Sequence, residues 1–242
     1  MGVPAYSKYD MAKFYGATIH DIYKLTFVRV ALRCMKNYDV IHIHSLWKLL
    51  LIARLNYPTK RIYYHAHGSD LRYNHGRLAK LYKDVGMHLS DGVFFGTPDL
   101  GTLTPRNSVY VPTPIDTEHF KHTRIEQSDK AVTFGSNYQD TMQLQSLLAE
   151  HDYSLRLNII DRERNSINYA DLPYVLQNYC YYVDVKLMKY QKQALQAMSK
   201  TGLEALSVGL RLIDYKFDTI KSFPSEHKPD NVAELVVKNY AT

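Results

Sequence analysis

The stretch Asp39-Val40-Ile41-His42-Ile43-His44-Ser45 decides how the rest of the chain is read. Val40, Ile41 and Ile43 branch at Cβ, which crowds a helix and suits a pleated surface, so these seven residues read as a buried strand. Upstream, Ile22, Phe27, Val30, Ala31 and Cys34 fall at helical spacing and predict a helix over Ile19–Met35. Downstream, Leu46 to Leu55 reads as helix and stops at Asn56-Tyr57-Pro58. A second strand follows at Arg61–His67, halted by Gly68-Ser69-Asp70. A helix at Leu78–Leu89 and two strands, Gly92–Gly96 and Ser108–Val111, continue the pattern. Strands alternating with helices at this short spacing imply a parallel sheet with crossover helices.

The alternation breaks once and restarts. Lys121 to Lys130 is polar and charged, with no apolar rhythm beyond Ile125, and reads as a linker. Beyond it come a strand at Ala131–Phe134, a helix at Thr141–Glu150, a strand at Leu155–Ile160 and a short helix at Leu172–Asn178. A strand at Tyr181–Val185, a long helix near Gln191–Val208, a strand at Arg211–Asp214 and a last helix at Asn231–Tyr240 complete the set. The expected division is a shortened domain over 1–121, a linker over 122–130 and a second α/β domain over 131–242. The last helix is a candidate to return to the first domain.

The composition narrows the class. The 242 residues are 45% hydrophobic and 22% charged, which excludes disorder and a coiled coil as global descriptions. A net charge of +6 suits anionic ligands or an anionic surface and falls short of a nucleic-acid signature. Two cysteines, Cys34 and Cys180, make neither a metal cluster nor a disulfide framework. The apolar run Leu49–Ala53 is bounded by Lys48 and Arg54, well short of the roughly 20 residues a bilayer span needs. Met1–Lys8 has no apolar core of a secretory signal, so a cytoplasmic protein is expected.

Two groups of residues can carry chemistry. His42 and His44 share one face of their strand, and His65 and His67 share one face of theirs, near the carboxyl ends where parallel sheets collect ligands. Histidines at strand ends also simply satisfy backbone groups, and imidazole pairs also bind zinc. Asp70 is the only carboxylate at tight spacing after them, and it also suits a helix cap. In the second half, Ser199-Lys200-Thr201-Gly202 reads as the entrance to a helix, where backbone N–H groups and the helix dipole favour phosphate. A Ser-Lys-Thr run there also serves as a plain cap. Glu204 lies on an apolar face with Leu203, Ala205, Leu206 and Val208, so it requires a ligand hydroxyl or a structural partner.

Four stretches in this order resemble glycosyltransferase family 4, the retaining nucleotide-sugar transferases of the GT-B fold. Asp39–Ser45 resembles the family's N-domain strand, and His65-Ala66-His67-Gly68-Ser69-Asp70-Leu71 its His-Gly-Ser-Asp turn. Val111-Pro112-Thr113-Pro114-Ile115-Asp116, running on to Phe120, is similar to its valine-proline-asparagine-glycine-x-aspartate segment. Leu195–Ile213 resembles the donor-site helix, with Glu204 at the second glutamate of the family's pair. The departures are specific. Gln196 stands at the first glutamate, Phe134-Gly135-Ser136-Asn137 lacks the family's arginine and following lysine, and only 38 residues precede Asp39.

The resemblance implies two Rossmann-like domains whose parallel sheets face a central cleft. It implies transfer of a sugar from a nucleoside-diphosphate sugar to an acceptor hydroxyl, with retention and without a metal or other cofactor. Ser199, Lys200, Thr201 and Gly202 would hold the diphosphate, Glu204 the ribose, and Gln196 the donor sugar. His67 would reach the reacting centre, and Lys186 and Lys189 would stand in for the missing basic pair. His42, His44, His65, Gly68 and Asp70 are further cleft candidates. The expected acceptor is a glycan, a lipid-linked sugar or a protein. Lys24, Arg29, Arg33 and Lys36, interleaved with Ile22, Phe27 and Val30, would suit an anionic membrane surface. Two alternatives stand beside this: a non-catalytic module of the same shape that binds a nucleotide-sugar, a glycan or a protein partner, and a metal-dependent hydrolase built on the four histidines.

Overall fold

The computed structural model describes residues 27–72, 76–122, 128–135, 138–161, 167–185 and 198–240. The chain divides into two compact units. One runs to Thr113 and takes in the chain from Asp230 onward; the other is Pro114–Pro229. Ile115 and Phe120 are fully buried in the second unit's core, so the division falls ahead of the polar stretch 122–130. Of that stretch, Lys130 already opens a strand, and 123–127 lie outside the described residues.

The first unit is built on β1 (Val40–His44), β2 (Arg61–Ala66), β3 (Gly92–Phe95) and β4 (Val109–Tyr110), all parallel and in the order β1-β2-β3-β4. Its helices are α1 (Phe27–Met35), α2 (Lys48–Asn56), the single turn α3 (Ser69–Arg72) and α4 (Arg77–His88). Period-two alternation sorts the strands onto two faces. Ile41 and Ile43 from β1, with Ile62, Tyr64 and Ala66 from β2, join Ala31, Met35, Leu49, Leu50 and Ala53 in one core cluster. The opposite face packs Tyr63, Phe94 and Val111 against Val232 and Val236 of the last helix, α8 (Pro229–Tyr240).

The expected face of the first helix is corrected. α1 meets its cluster through Val28, Ala31, Leu32 and Met35, whereas Val30 is 49% exposed. Arg29, Arg33 and Lys36 are exposed, so the helix lays its apolar side on the sheet and its charges in water. Ile22 and Lys24 lie outside the described residues. No helix among the described residues is long and apolar enough to cross a membrane.

In the second unit the strand order is β6-β5-β7-β8-β9, from β5 (Lys130–Gly135), β6 (Arg156–Asp161), β7 (Tyr181–Val183), β8 (Arg211–Ile213) and β9 (Thr219–Ile220). All pairs are parallel except β8 with β9, a short antiparallel addition that periodicity does not reveal. Val132, Tyr182 and Leu212 lie on one face with Leu176 of α6 (Leu172–Leu176) and with Leu203 and Leu206 of α7 (Lys200–Val208). Ala131, Val183 and Ile213 lie on the other, against Leu144 and Leu148 of α5 (Tyr138–Glu150). Each such fully buried aliphatic side chain is worth roughly 1.5–3 kcal/mol of burial. The long helix expected near Gln191–Val208 is also corrected. Ser199 is extended (φ −76°, ψ 158°) and α7 starts only at Lys200. The apolar spacing that suggested one continuous helix carries across that break.

Candidate functional site

In the first unit the four histidines come together as the strand alternation requires. His44 pairs in register with His65, and His42 with Tyr63. All four imidazoles stand on one face of the sheet as a stacked array. Ring centroids are 4.3 Å apart for His42–His44, 5.0 Å for His44–His65 and 4.4 Å for His65–His67. His44 Nδ1 and His67 Nε2 share a hydrogen bond at 2.8 Å, and His42 Nδ1 bonds the Tyr240 hydroxyl of α8. His65 is 1% exposed, and both of its ring nitrogens are buried with no hydrogen-bond partner among the described residues; the same holds for His42 Nε2 and Ser45 Oγ. A buried polar atom left in that state costs about 1–3 kcal/mol.

Burial disfavours the charged form of His42, His65 and His67. Desolvation, with the His67 charge second, pushes His42 down to about 3. Desolvation and then the neighbouring His67, His44 and His42 push His65 well below its usual value. His67 is lowered by burial, while Asp70 pulls it the other way.

The turn after β2 is held from within. Gly68 has φ +117°, and a Cβ there would stand 2.1 Å from Arg72 Nη1, so this position needs glycine. Asp70 is 6% exposed and does more than cap a helix. Its Oδ1 accepts the backbone N–H groups of Gly68 at 2.8 Å and His67 at 3.2 Å, and its Oδ2 accepts the buried Tyr64 hydroxyl. Asp70 therefore fixes the backbone that carries His67.

The second unit builds its candidate site at the start of α7. Ser199 caps the helix, its Oγ accepting the Gly202 N–H at 3.0 Å. Asp184, 4% exposed and one residue past β7, accepts the Ser199 N–H through Oδ2 at 2.5 Å. Lys200 Nζ lies 3.6 Å from Glu204 Oε1 one turn on, and 5.3 Å from the Tyr169 ring centroid. Glu204 is 2% exposed, and the Lys200 ammonium is one partner of its carboxylate. Thr201 and Gly202 are buried, and a Cβ on Gly202 would meet Leu212 Cδ1 at 2.6 Å and Asp184 Oδ2 at 2.7 Å. Glycine is what lets α7 approach the sheet so closely.

Ser199, Lys200, Thr201, Gly202 and Glu204 are thus brought together, as are His42, His44, His65, His67, Gly68 and Asp70 in the other unit. Gln196, Lys186, Lys189 and Ser136 lie outside the described residues. Sequence reasoning missed Asp184, Tyr169 and Tyr240. Asp184 carried one usable signal, a lone carboxylate directly after an apolar strand.

No family model matches the chain, and no curated protein matches it. Among solved structures it is similar to TarM, with a TM-score of 0.51, 10% identity and 87% of this chain covered. The match takes in 51% of that protein, so the chain spans about half its length. At this identity the likeness is one of fold. With two α/β units built on parallel sheets, and the likeness to TarM, the chain has a GT-B-like fold of two Rossmann-like domains.

Proposed function

We propose that this chain is a glycosyltransferase that moves a sugar from a nucleoside-diphosphate sugar to an acceptor hydroxyl with retention. The observation that carries the reading is the start of α7: on a GT-B-like fold, a Ser-capped helix presents Lys200 beside a buried Glu204. In this reading the Lys200 ammonium and the positive N-terminal end of α7 receive the diphosphate, because a helix N-terminus and an ammonium both stabilise the charge that grows on a departing phosphate. Glu204 accepts from the ribose hydroxyls, Gln196 faces the donor sugar, and Lys186 adds positive charge. His67 acts on the reacting sugar, its ring held neutral and its backbone fixed by Asp70. The acceptor is a glycan, a lipid-linked sugar or a protein, and no metal takes part in the transfer.

One observation favours a second reading. Lys200 is already engaged by Glu204, and Asp184 already occupies the entrance of α7 with negative charge. A non-catalytic module that binds a nucleotide-sugar or a glycan would tolerate that arrangement. The experiment that separates the two is a panel of uridine, guanosine and adenosine diphosphates with their sugars, read first by thermal shift and then by release of nucleoside diphosphate. Binding with release supports the transferase, binding without release supports a nucleotide-sugar-binding module, and silence across the panel removes both of these.

A further inference from the structure

We infer that His42, His44 and His65 form a binding site for one divalent cation of the zinc class, with His67 and Tyr240 as the hydrogen-bonding shell that aims two of the rings. The donor set comes directly from the sheet. Two imidazoles two residues apart on β1 and one in register on β2 place one nitrogen each within 4.8 Å of the other two. Tetrahedral zinc with bonds of about 2.0–2.1 Å needs ligand nitrogens about 3.4 Å apart. The rings, stacked with 14–30° between their planes, must close in by at most about 1.4 Å and turn so that their in-plane lone pairs converge, movements that rotation about the soft terminal torsion of histidine supplies.

Two further features single out a cation rather than plain packing. The first is His65: a ring sealed in the protein with both nitrogens unpartnered is a poor core residue and a ready ligand. The second is the outer shell. A metal-bound histidine typically gives its second ring nitrogen to a hydrogen-bonding partner that fixes the ring. His42 has that arrangement, with Nδ1 on Tyr240 and a buried, unpartnered Nε2 left over; His44 has its Nδ1 on His67. Imidazole nitrogen suits zinc, copper, nickel and iron, and it does not suit magnesium or calcium. Three protein ligands leave the fourth position to water or to an anion.

The inference shares His67 with the transferase reading but does not depend on it: the ligands are His42, His44 and His65 in the sheet of the first unit, and zinc uptake is read without donor or turnover. Its test uses the full chain, stripped with chelator, with no nucleotide or sugar present. Zinc chloride is titrated against a chromophoric competitor, and cobalt(II) is added as a spectroscopic probe. Expected are about one zinc per chain and the strong visible absorption of four- or five-coordinate cobalt. His65→Gln and His42→Gln should each weaken zinc by about a hundredfold or more, and His67→Gln, in the outer shell, by about ten- to a hundredfold. Zinc binding within about threefold of the natural protein in both His65→Gln and His42→Gln places the metal on other histidines and overturns the site. So does the faint spectrum of six-coordinate cobalt, or no uptake at all, in the natural protein. Those two readings need no variant to fold.

Discussion

The Asp184 carboxylate accepts the backbone N–H of Ser199 at 2.5 Å, holding in place the residue whose hydroxyl caps α7. Asp184 sits one residue beyond β7, so the strand hands its last buried polar group to the first residue of the helix entrance. A carboxylate at the positive end of a helix is stabilising in itself. It also crowds the position where an incoming phosphate would bind. Lys200, with its ammonium toward Glu204, provides the opposite charge in the same turn.

Lys200→Ala tests the donor site. The expected outcome is a loss of about tenfold or more in affinity for a nucleoside diphosphate, with a smaller loss for the nucleoside alone. Isothermal titration with both ligands reads the difference. Equal losses would move the phosphates away from this turn, and a collapse of the folded state would point to the stranded, buried Glu204.

Gly202→Ala tests the packing that brings α7 to the sheet. The added methyl must displace Leu212 or Asp184, and overpacking of this kind costs typically 1–3 kcal/mol. Urea denaturation gives the value directly. A change within about 0.5 kcal/mol would mean that the helix can retreat at no cost.

His67→Ala separates chemistry from architecture. If His67 works on the reacting sugar, turnover should fall by about 100-fold or more while nucleotide affinity and the unfolding midpoint stay close to those of the natural protein. Loss of the midpoint would assign His67 to the stack, through its bond to His44.

Acid should loosen the first unit. His42 is held down to about 3, against about 6.5 for a free imidazole, and His65 and His67 are lowered as well. Between those limits the unfolded chain binds more protons than the folded one, so stability is full above about pH 6.5 and falls as the pH drops below it. Each ring contributes a slope of up to about 1.4 kcal/mol per pH unit. Urea midpoints measured with chelator present at descending pH would show it. A flat profile down to pH 5 would mean that the rings charge freely in the folded state.

Much of this was legible because burial leaves a mark on sequence. The β-branched alternation at Val40–Ile43 fixed a strand, and the spacing of two put His42 with His44 and His65 with His67 on common faces before any coordinates. Glu204 among aliphatic neighbours correctly announced a buried carboxylate. What stayed hidden depends on three-dimensional contact. Asp184 and Tyr240 act on residues 15 and 198 positions away, and no local pattern encodes such a bond. The start of α7 was hidden for a different reason: the apolar spacing continues through Ser199, and only the cap itself breaks the helix. The register of α1 was misread because Val30, apolar but exposed, counts the same in a periodicity as a buried Val28 or Ala31.

The return of α8 to the first unit has a consequence for the order of assembly. Val232 and Val236 cover Tyr63, Phe94 and Val111, yet they lie more than a hundred residues later in the chain, beyond the whole of Pro114–Pro229. Domains generally fold as they leave the ribosome, amino-terminal part first. Here that order is inverted. The second unit has all its residues once Pro229 emerges, whereas the first must wait with one sheet face bare until α8 is synthesised. A chain truncated after Pro229 would therefore hold every residue of the second unit and an unfinished first one. Protease digestion of that truncated chain should cut the amino-terminal half first.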